Sequence, residues 1–353
     1  MRFFDHQASA RTRIRRLTAV FLLVALPATV IGVHVALSIP WVLVRWLMHW
    51  PLAYPLGFMP VNVGVTVALI LGGWWIESSN LAGGGVHLAE RLGARPAQPA
   101  VRFEEEQLTH VVSEMCIASS MARPAVMVLP NHDQINAFAT GFAPADWAIT
   151  VSDGALHYLT REELQGLVAH ECSHLREGDT ELNMHLIGMV AGLHMIWGFG
   201  RSLRPDAGDG DDDLAATFSL GAVGTIFGTL IMAAGWVGWV AGRALQAAVS
   251  RQCELLADAR AVQWTRNADG LGRVLRKLLT QQRQADEIPH PSASSQQVAH
   301  LWLASEWGDG RAAATETPGW LDTHPPLTQR IRTIYGYTVS ALPLEDVPAD
   351  TTR

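Results

Sequence analysis

Two histidines one helical turn apart, with a glutamate between them, are the residues of this 353-residue chain best suited to chemistry. In His170-Glu171-Cys172-Ser173-His174 both imidazoles fall on the same face of a helix. That is the spacing at which one helix supplies two ligands to a tetrahedral zinc ion. Glu171, beside the first ligand, is placed to act as general base toward a water activated at the ion. The plainer alternative is a helix that happens to carry two histidines, because five-residue patterns arise by chance. The rest of the chain must therefore supply a third donor. The best candidate is Glu254, in Ser250-Arg251-Gln252-Cys253-Glu254-Leu255-Leu256-Ala257-Asp258, on a helix predicted to follow the last apolar stretch. Asp258, one turn on, shares its face and could accept the free ring N–H of a ligand histidine. An ordinary amphipathic helix with two solvated acids is the competing reading, and His157, His185 and His324 compete as third ligands.

The element that holds the histidine pair is well bounded in sequence. Thr160 and Glu163 stand at capping-box spacing, and Gly178 is a natural C-terminal stop. Before it, Phe103 to Met121 has helical period, and Ala125–Leu129, Ile135–Thr140 and Trp147–Val151 read as short strands. A small sheet packed on two helices is the expected arrangement. Cys116, Cys172 and Cys253 form no disulfide framework, suit the reducing side of a membrane, and read as packing residues.

Composition argues for a bilayer around these elements. Hydrophobic residues make up 49% of the chain and charged residues only 17%, too oily for an ordinary soluble enzyme. Leu17–Ile39, Leu56–Ile76 and Phe218–Val240 each have the length and apolarity of a span, and Leu182–Phe199 is a fourth. Leu17–Ile39 is too long for a cleaved leader and reads as a retained anchor. Residues 40–60, rich in Trp and Pro (Trp41, Trp46, Trp50, Pro51, Pro55, Pro60), read as an interfacial loop. The spacings Gly224-x-x-x-Gly228 and Gly238-x-x-x-Gly242 would let another helix approach closely, or reflect a Gly-rich span and nothing more. Five arginines lie within the first sixteen residues, whereas 201–213 holds five aspartates and two arginines. The positive-inside rule then puts the amino terminus, residues 77–181 and everything after 241 in the cytosol. A net charge of −7 with scattered basic residues argues against nucleic acid as a partner.

Four motifs in order carry a family resemblance: Asn136-Ala137-Phe138-Ala139-Thr140-Gly141, the histidine helix, Ser250–Asp258, and Thr323-His324-Pro325-Pro326-Leu327-Thr328-Gln329-Arg330-Ile331. Over roughly residues 80–335 the chain resembles the HtpX family of membrane zinc metallopeptidases, relatives of the CaaX prenyl endopeptidases. The resemblance implies one Zn2+ per chain, held by His170, His174 and Glu254, with Glu171 activating the water. It places Asn136, with Ala137 and Phe138, on an edge strand against the substrate backbone. It puts His324 and Arg330 at the border of the cleft, holding substrate or the oxyanion, with His324 the candidate donor to the oxyanion. Plainer roles exist: a turn residue for Asn136, a loop-fixing hydrogen bond for His324, a partner for a helix carboxylate for Arg330. Cys253 stands where relatives often carry arginine or another polar residue.

The expected fold is α+β and mostly helical: an integral membrane protein with about four transmembrane helices and a cytosolic zincin-like metallopeptidase domain with a small β-sheet. Residues 1–80 form the basic start and first hairpin, and 81–181 the first part of the catalytic domain. The second hairpin is 182–241, the second catalytic part 242–340, and the tail 341–353. The resemblance implies a zinc metalloendopeptidase of the inner membrane that cuts misfolded or unassembled membrane proteins, with the lipid bilayer and polypeptide substrates as its partners. It leaves the oligomeric state open. A processing protease with a narrow, prenyl-type substrate is one alternative, and a non-catalytic scaffold with structural zinc another.

Overall fold

A computed structural model describes residues 16, 19, 21–49, 51, 53–204, 214–284 and 322–345 of the chain, with side chains of the last long helix described from 221. Most of the arginine-rich start, the aspartates of 205–213 and residues 346–353 of the expected tail lie outside the described residues. Ten α-helices and four strands follow one another among those described: α1 Leu26–Leu47 (entered through a π-turn, Phe21–Ala25), α2 Phe58–Leu81, α3 Gly84–Arg91, β1 Arg95–Pro96, α4 Phe103–Ser119, β2 Ala125–Leu129, β3 Ala137–Thr140, β4 Ala148–Ser152, α5 Asp153–Tyr158, α6 Arg161–Glu177, α7 Asp179–Ser202, α8 Leu214–Thr265, α9 Ala268–Gln284 and α10 Leu327–Tyr335. They divide into two compact units. Among the described residues, one comprises those of 81–185 and 246–345, the other those of 16–80 and 186–245.

The second of these units is apolar. Among the described residues four helices, over Leu22–Leu47, Phe58–Leu81, Asp179–Ser202 and Gly221–Thr265, are long and apolar enough to cross a membrane. On α1 and α2 large apolar side chains such as Leu43, Trp46, Leu71 and Trp75 stay exposed, as a lipid-facing rim requires. Within the unit, small residues set the close approaches. A Cβ on Gly192 would lie 2.5 Å from the Ile70 carbonyl oxygen, and one on Gly228 would lie 2.5 Å from that of Gly200. Such contacts are how membrane helices pack without a hydrophobic driving force between them. The loop expected at 40–60 is shorter than its tryptophans and prolines suggest. Helix α1 runs through Pro40 to Leu47, because a span tolerates one missing N–H when neighbouring groups take up the freed backbone.

The other unit holds the sheet, whose strand order is β1-β2-β4-β3. β2 and β4 pair in parallel, Ala125 opposite Ala148 through Leu129 opposite Ser152, and the outer strands pair antiparallel. The sequence predicts three of these strands; the two-residue β1 is too short to leave a periodic signal. Leu108, Val111 and Met115 of α4, Val128, Ile149 and Val151 of the sheet, and Leu164, Leu167 and Val168 of α6 form one buried core with Leu271, Val274 and Leu278 of α9. Each fully buried aliphatic side chain contributes about 1.5–3 kcal/mol.

Helix α6 starts and stops on its own residues. The Thr160 hydroxyl accepts from the Glu163 N–H at 3.4 Å, and Glu163 Oε2 accepts from the Thr160 N–H at 2.8 Å. At the other end Gly178 turns left-handed at φ 79°, a conformation that costs glycine nothing. Gly166 lets α9 close in, because a Cβ there would collide with the backbone of Gly270 and Leu271. Lys277, the only lysine in the sequence, reaches from α9 to donate to Glu163 Oε2 and to the Tyr158 carbonyl, both at 2.7 Å. Helix α8 is not a span followed by a separate helix, as the sequence suggests, but one helix of 52 residues. From Arg243 to Thr265 there is neither glycine nor proline to end it.

Candidate metal centre

The i, i+4 spacing on α6 does what helical geometry dictates: His170 Nε2 and His174 Nε2 lie 3.2 Å apart. Glu254 of α8 faces them, with Oε2 3.6 Å from His170 Nε2 and Oε1 3.5 Å from His174 Nε2. Among the described residues these three form a group whose donor atoms all lie within 4.8 Å of one another. The outer ring nitrogens point at carboxylates. His170 Nδ1 is 3.1 Å from Asp258 Oδ1, and His174 Nδ1 is 3.1 Å from Asp179 Oδ2.

That arrangement tests whether a cation fits. If both rings carry their proton on Nδ1, toward Asp258 and Asp179, the two Nε2 atoms become acceptors facing each other at 3.2 Å with no proton to share. A positive ion between them satisfies both. Tetrahedral zinc with bonds of about 2.0–2.1 Å would set its nitrogens about 3.3–3.4 Å apart, close to what these side chains already adopt. The donor set, two imidazoles and one carboxylate, leaves a fourth position for water or substrate.

Around the ligands lies a buried ionic frame. Arg330 of α10 is fully buried and gives Nε and Nη2 to the two oxygens of Asp258 at 2.8 and 2.7 Å, and its Nη1 lies 2.8 Å from Glu254 Oε2. Burial alone would lower its pKa, but Asp258 and Glu254 together hold the guanidinium charged, above its ordinary value. The sequence reading puts Arg330 at the border of the cleft. In the structure it is buried against the two carboxylates of α8, one of them Glu254 of the same group. His324 does border the ligands, its Nε2 3.7 Å from Glu254 Oε1 and its Nδ1 3.0 Å from the Thr323 hydroxyl. Glu171 is buried beside the pair, and burial pushes its carboxyl up more than His170 and His174 pull it down. His157 packs on Tyr158 and His185 on Phe142, outside the ligand group. Asn136 precedes the edge strand β3, and its Oδ1 accepts from the Ala137 N–H at 2.9 Å. Ala137 and Phe138 lie in that strand, both buried.

Asp179 is the residue the sequence reading passes over. It is the first acid after the Gly178 stop, five positions beyond His174, and the turn at the glycine brings it back onto the imidazole. That placement depends on the left-handed backbone at 178 rather than on any helical period.

Comparison with known proteins now has a geometry to meet. Residues 102–338 match peptidase family M48. A protein named "Protease HtpX homolog" from Caldanaerobacter subterraneus is 32% identical over 258 residues, 70% of this chain and 76% of that protein. One of the same name from Ligilactobacillus salivarius is 31% identical over 246 residues, covering 67% and 74%. Another from Streptococcus uberis is 28% identical over 281 residues, covering 76% and 84%. No solved structure matches. The chain belongs to peptidase family M48. It is therefore a metal-dependent peptidase associated with a membrane, and its four long apolar helices agree.

Proposed function

We propose that this chain is a zinc metalloendopeptidase of the inner membrane whose zincin-like catalytic part faces the cytosol and cuts misfolded or unassembled membrane proteins. The observation that carries the reading is the convergence of His170 Nε2 and His174 Nε2, 3.2 Å apart, with the Glu254 carboxylate facing both. The arginine bias of the amino terminus supports the cytosolic orientation. In this reading His170, His174 and Glu254 hold the ion, with Asp258 and Asp179 fixing the tautomers of the two imidazoles. When bound, a divalent ion supplies the polarisation of the scissile carbonyl and the acidification of a water. Glu171 takes the proton from the attacking water and returns it to the leaving amine. His324 Nε2, at the edge of the ligand set, donates to the oxygen on which negative charge develops. An extended substrate adds beside β3, where backbone pairing reads shape rather than side chains. Tolerance of sequence suits substrates defined by being unfolded.

The test is Glu171→Gln in full-length protein purified in detergent. Metal content by elemental analysis should stay near one zinc per chain, while casein-type proteolysis falls by at least about 10²-fold, the low end for a lost general base. Full activity in the variant would end the assignment, and metal loss with retained fold would move Glu171 into the ligand set.

A further inference from the structure

The outer edge of the sheet, along β3, is buried and partly closed by the protein's own side chains. Ser152 N–H donates to the Asn136 carbonyl at 3.0 Å, so Asn136 faces β4. By antiparallel alternation Phe138 and Thr140 face β4 as well, and Ala137 and Ala139 turn their backbone groups outward, while Gly141, just past the strand at φ 133°, also turns its N–H away from β4. Two of those three outward N–H groups already have partners. Ala137 donates to Asn136 Oδ1 at 2.9 Å, and Gly141 donates to Met184 Sδ at 3.3 Å.

These two caps differ in kind. The Asn136 amide, 3% exposed, caps the N–H of the residue that follows it, so it is a local cap that one side-chain rotation would lift. Met184 is 1% exposed and packed into α7, with its neighbour His185 set against Phe142, ring centroids 5.5 Å apart. A thioether is a weak acceptor, so Met184 stands at Gly141 as an obstacle more than as a hydrogen-bond partner. It is also held in register with the ligands. Asp179 begins the same helix and lies against His174, and the five-position step from Asp179 to Met184 amounts to about 7.5 Å of helix.

We infer that Met184 is a specificity-determining residue that ends substrate pairing at Gly141. Backbone recognition is then confined to Ala137–Ala139, a short extended segment on one side of the scissile bond. This rests on the reading of β3 as the strand to which substrate adds.

The experiment uses metal-loaded full-length enzyme and fluorogenic peptides that share one scissile bond, lengthened one residue at a time on each side. In wild type, kcat/KM stops rising after a short extension on one side. In Met184→Ala it should keep rising there over two more residues, the strand repeat, by roughly 2- to 10-fold for one recovered hydrogen bond, carried by KM rather than kcat. Met184→Leu, which keeps the bulk and loses the sulfur, should retain the wild-type profile. An unchanged length profile in Met184→Ala overturns the inference and leaves the strand reading standing. Absence of any length dependence in wild type removes the strand reading and this inference together. Should Met184→Ala not fold, an ester scan of the peptide backbone against wild type decides. Losses confined to three consecutive residues support the inference, and losses reaching two residues further refute it.

Discussion

Replacing Lys277 by methionine removes the only amine that faces Glu163 while keeping most of the volume. The pair is nearly dry, with side-chain exposures of 9% for Lys277 and 3% for Glu163, so solvent screening that weakens surface ion pairs does not apply. Removing one partner of a buried pair costs about 3–5 kcal/mol, most of it the penalty of leaving the other charge buried alone. The Tyr158 carbonyl also loses its donor. At about 2–4 °C per kcal/mol for a domain of this size, the thermal midpoint should fall by roughly 6–20 °C. The assay is thermal unfolding of the full chain in one detergent at fixed metal and protein concentration, since bound ligands shift the midpoint. The double variant Lys277→Met/Glu163→Gln should recover part of the loss, because Gln can still close the capping box and no charge stays buried. A single variant within about 2 °C of wild type, or a double variant no better than the single, would refute the reasoning.

Two further outcomes follow from the carboxylates. Asp179→Asn should leave the fold intact and weaken zinc retention by about 10- to 100-fold, read by competition with a chromogenic chelator; unchanged affinity would separate Asp179 from the metal. Glu105 is held below the ordinary carboxylate range chiefly by its hydrogen bonds from Arg95, at 2.6 and 3.0 Å, against the opposing effect of burial. Its folded pKa is depressed, so its contribution is complete above the unfolded value near about 4.3 and is lost as pH falls through the folded one. Glu105→Gln should lower the midpoint at pH 7 by an amount equivalent to about 1.5–3 kcal/mol. The gap to wild type should hold down to pH 5 and narrow below about pH 4; a gap that widens on acidification would reverse the sign.

Much of this was readable in the residues where the information is local. The i, i+4 imidazoles, the Thr160–Glu163 box and the Gly178 stop all act within a few positions, and the helix they define has those limits. β2 also has the bounds its apolar run suggests. What escaped the sequence depends on distant partners or on the absence of a stop. Nothing nearby tells Arg330 to leave solvent; it is buried because two carboxylates of α8 await it. Asp179 reaches His174 through a turn, so no periodicity announces it. The continuity of α8 follows from missing breakers, and a change from apolar to mixed composition near residue 242 conceals it. Lys277, the lone lysine of an arginine-rich chain, carries no local sign of its role, which emerges only once α9 lies against α6.

The order in which the donors occur along the chain bears on when the enzyme can act. A ribosome that has completed α6 has made both imidazoles, yet the carboxylate closing the set lies eighty residues on, at the far end of a helix that begins as an apolar span. Until translation has passed that point and α8 has formed, the nascent chain holds an incomplete cation site. On the proposed ligand set, a chain still being made could not yet cut its neighbours.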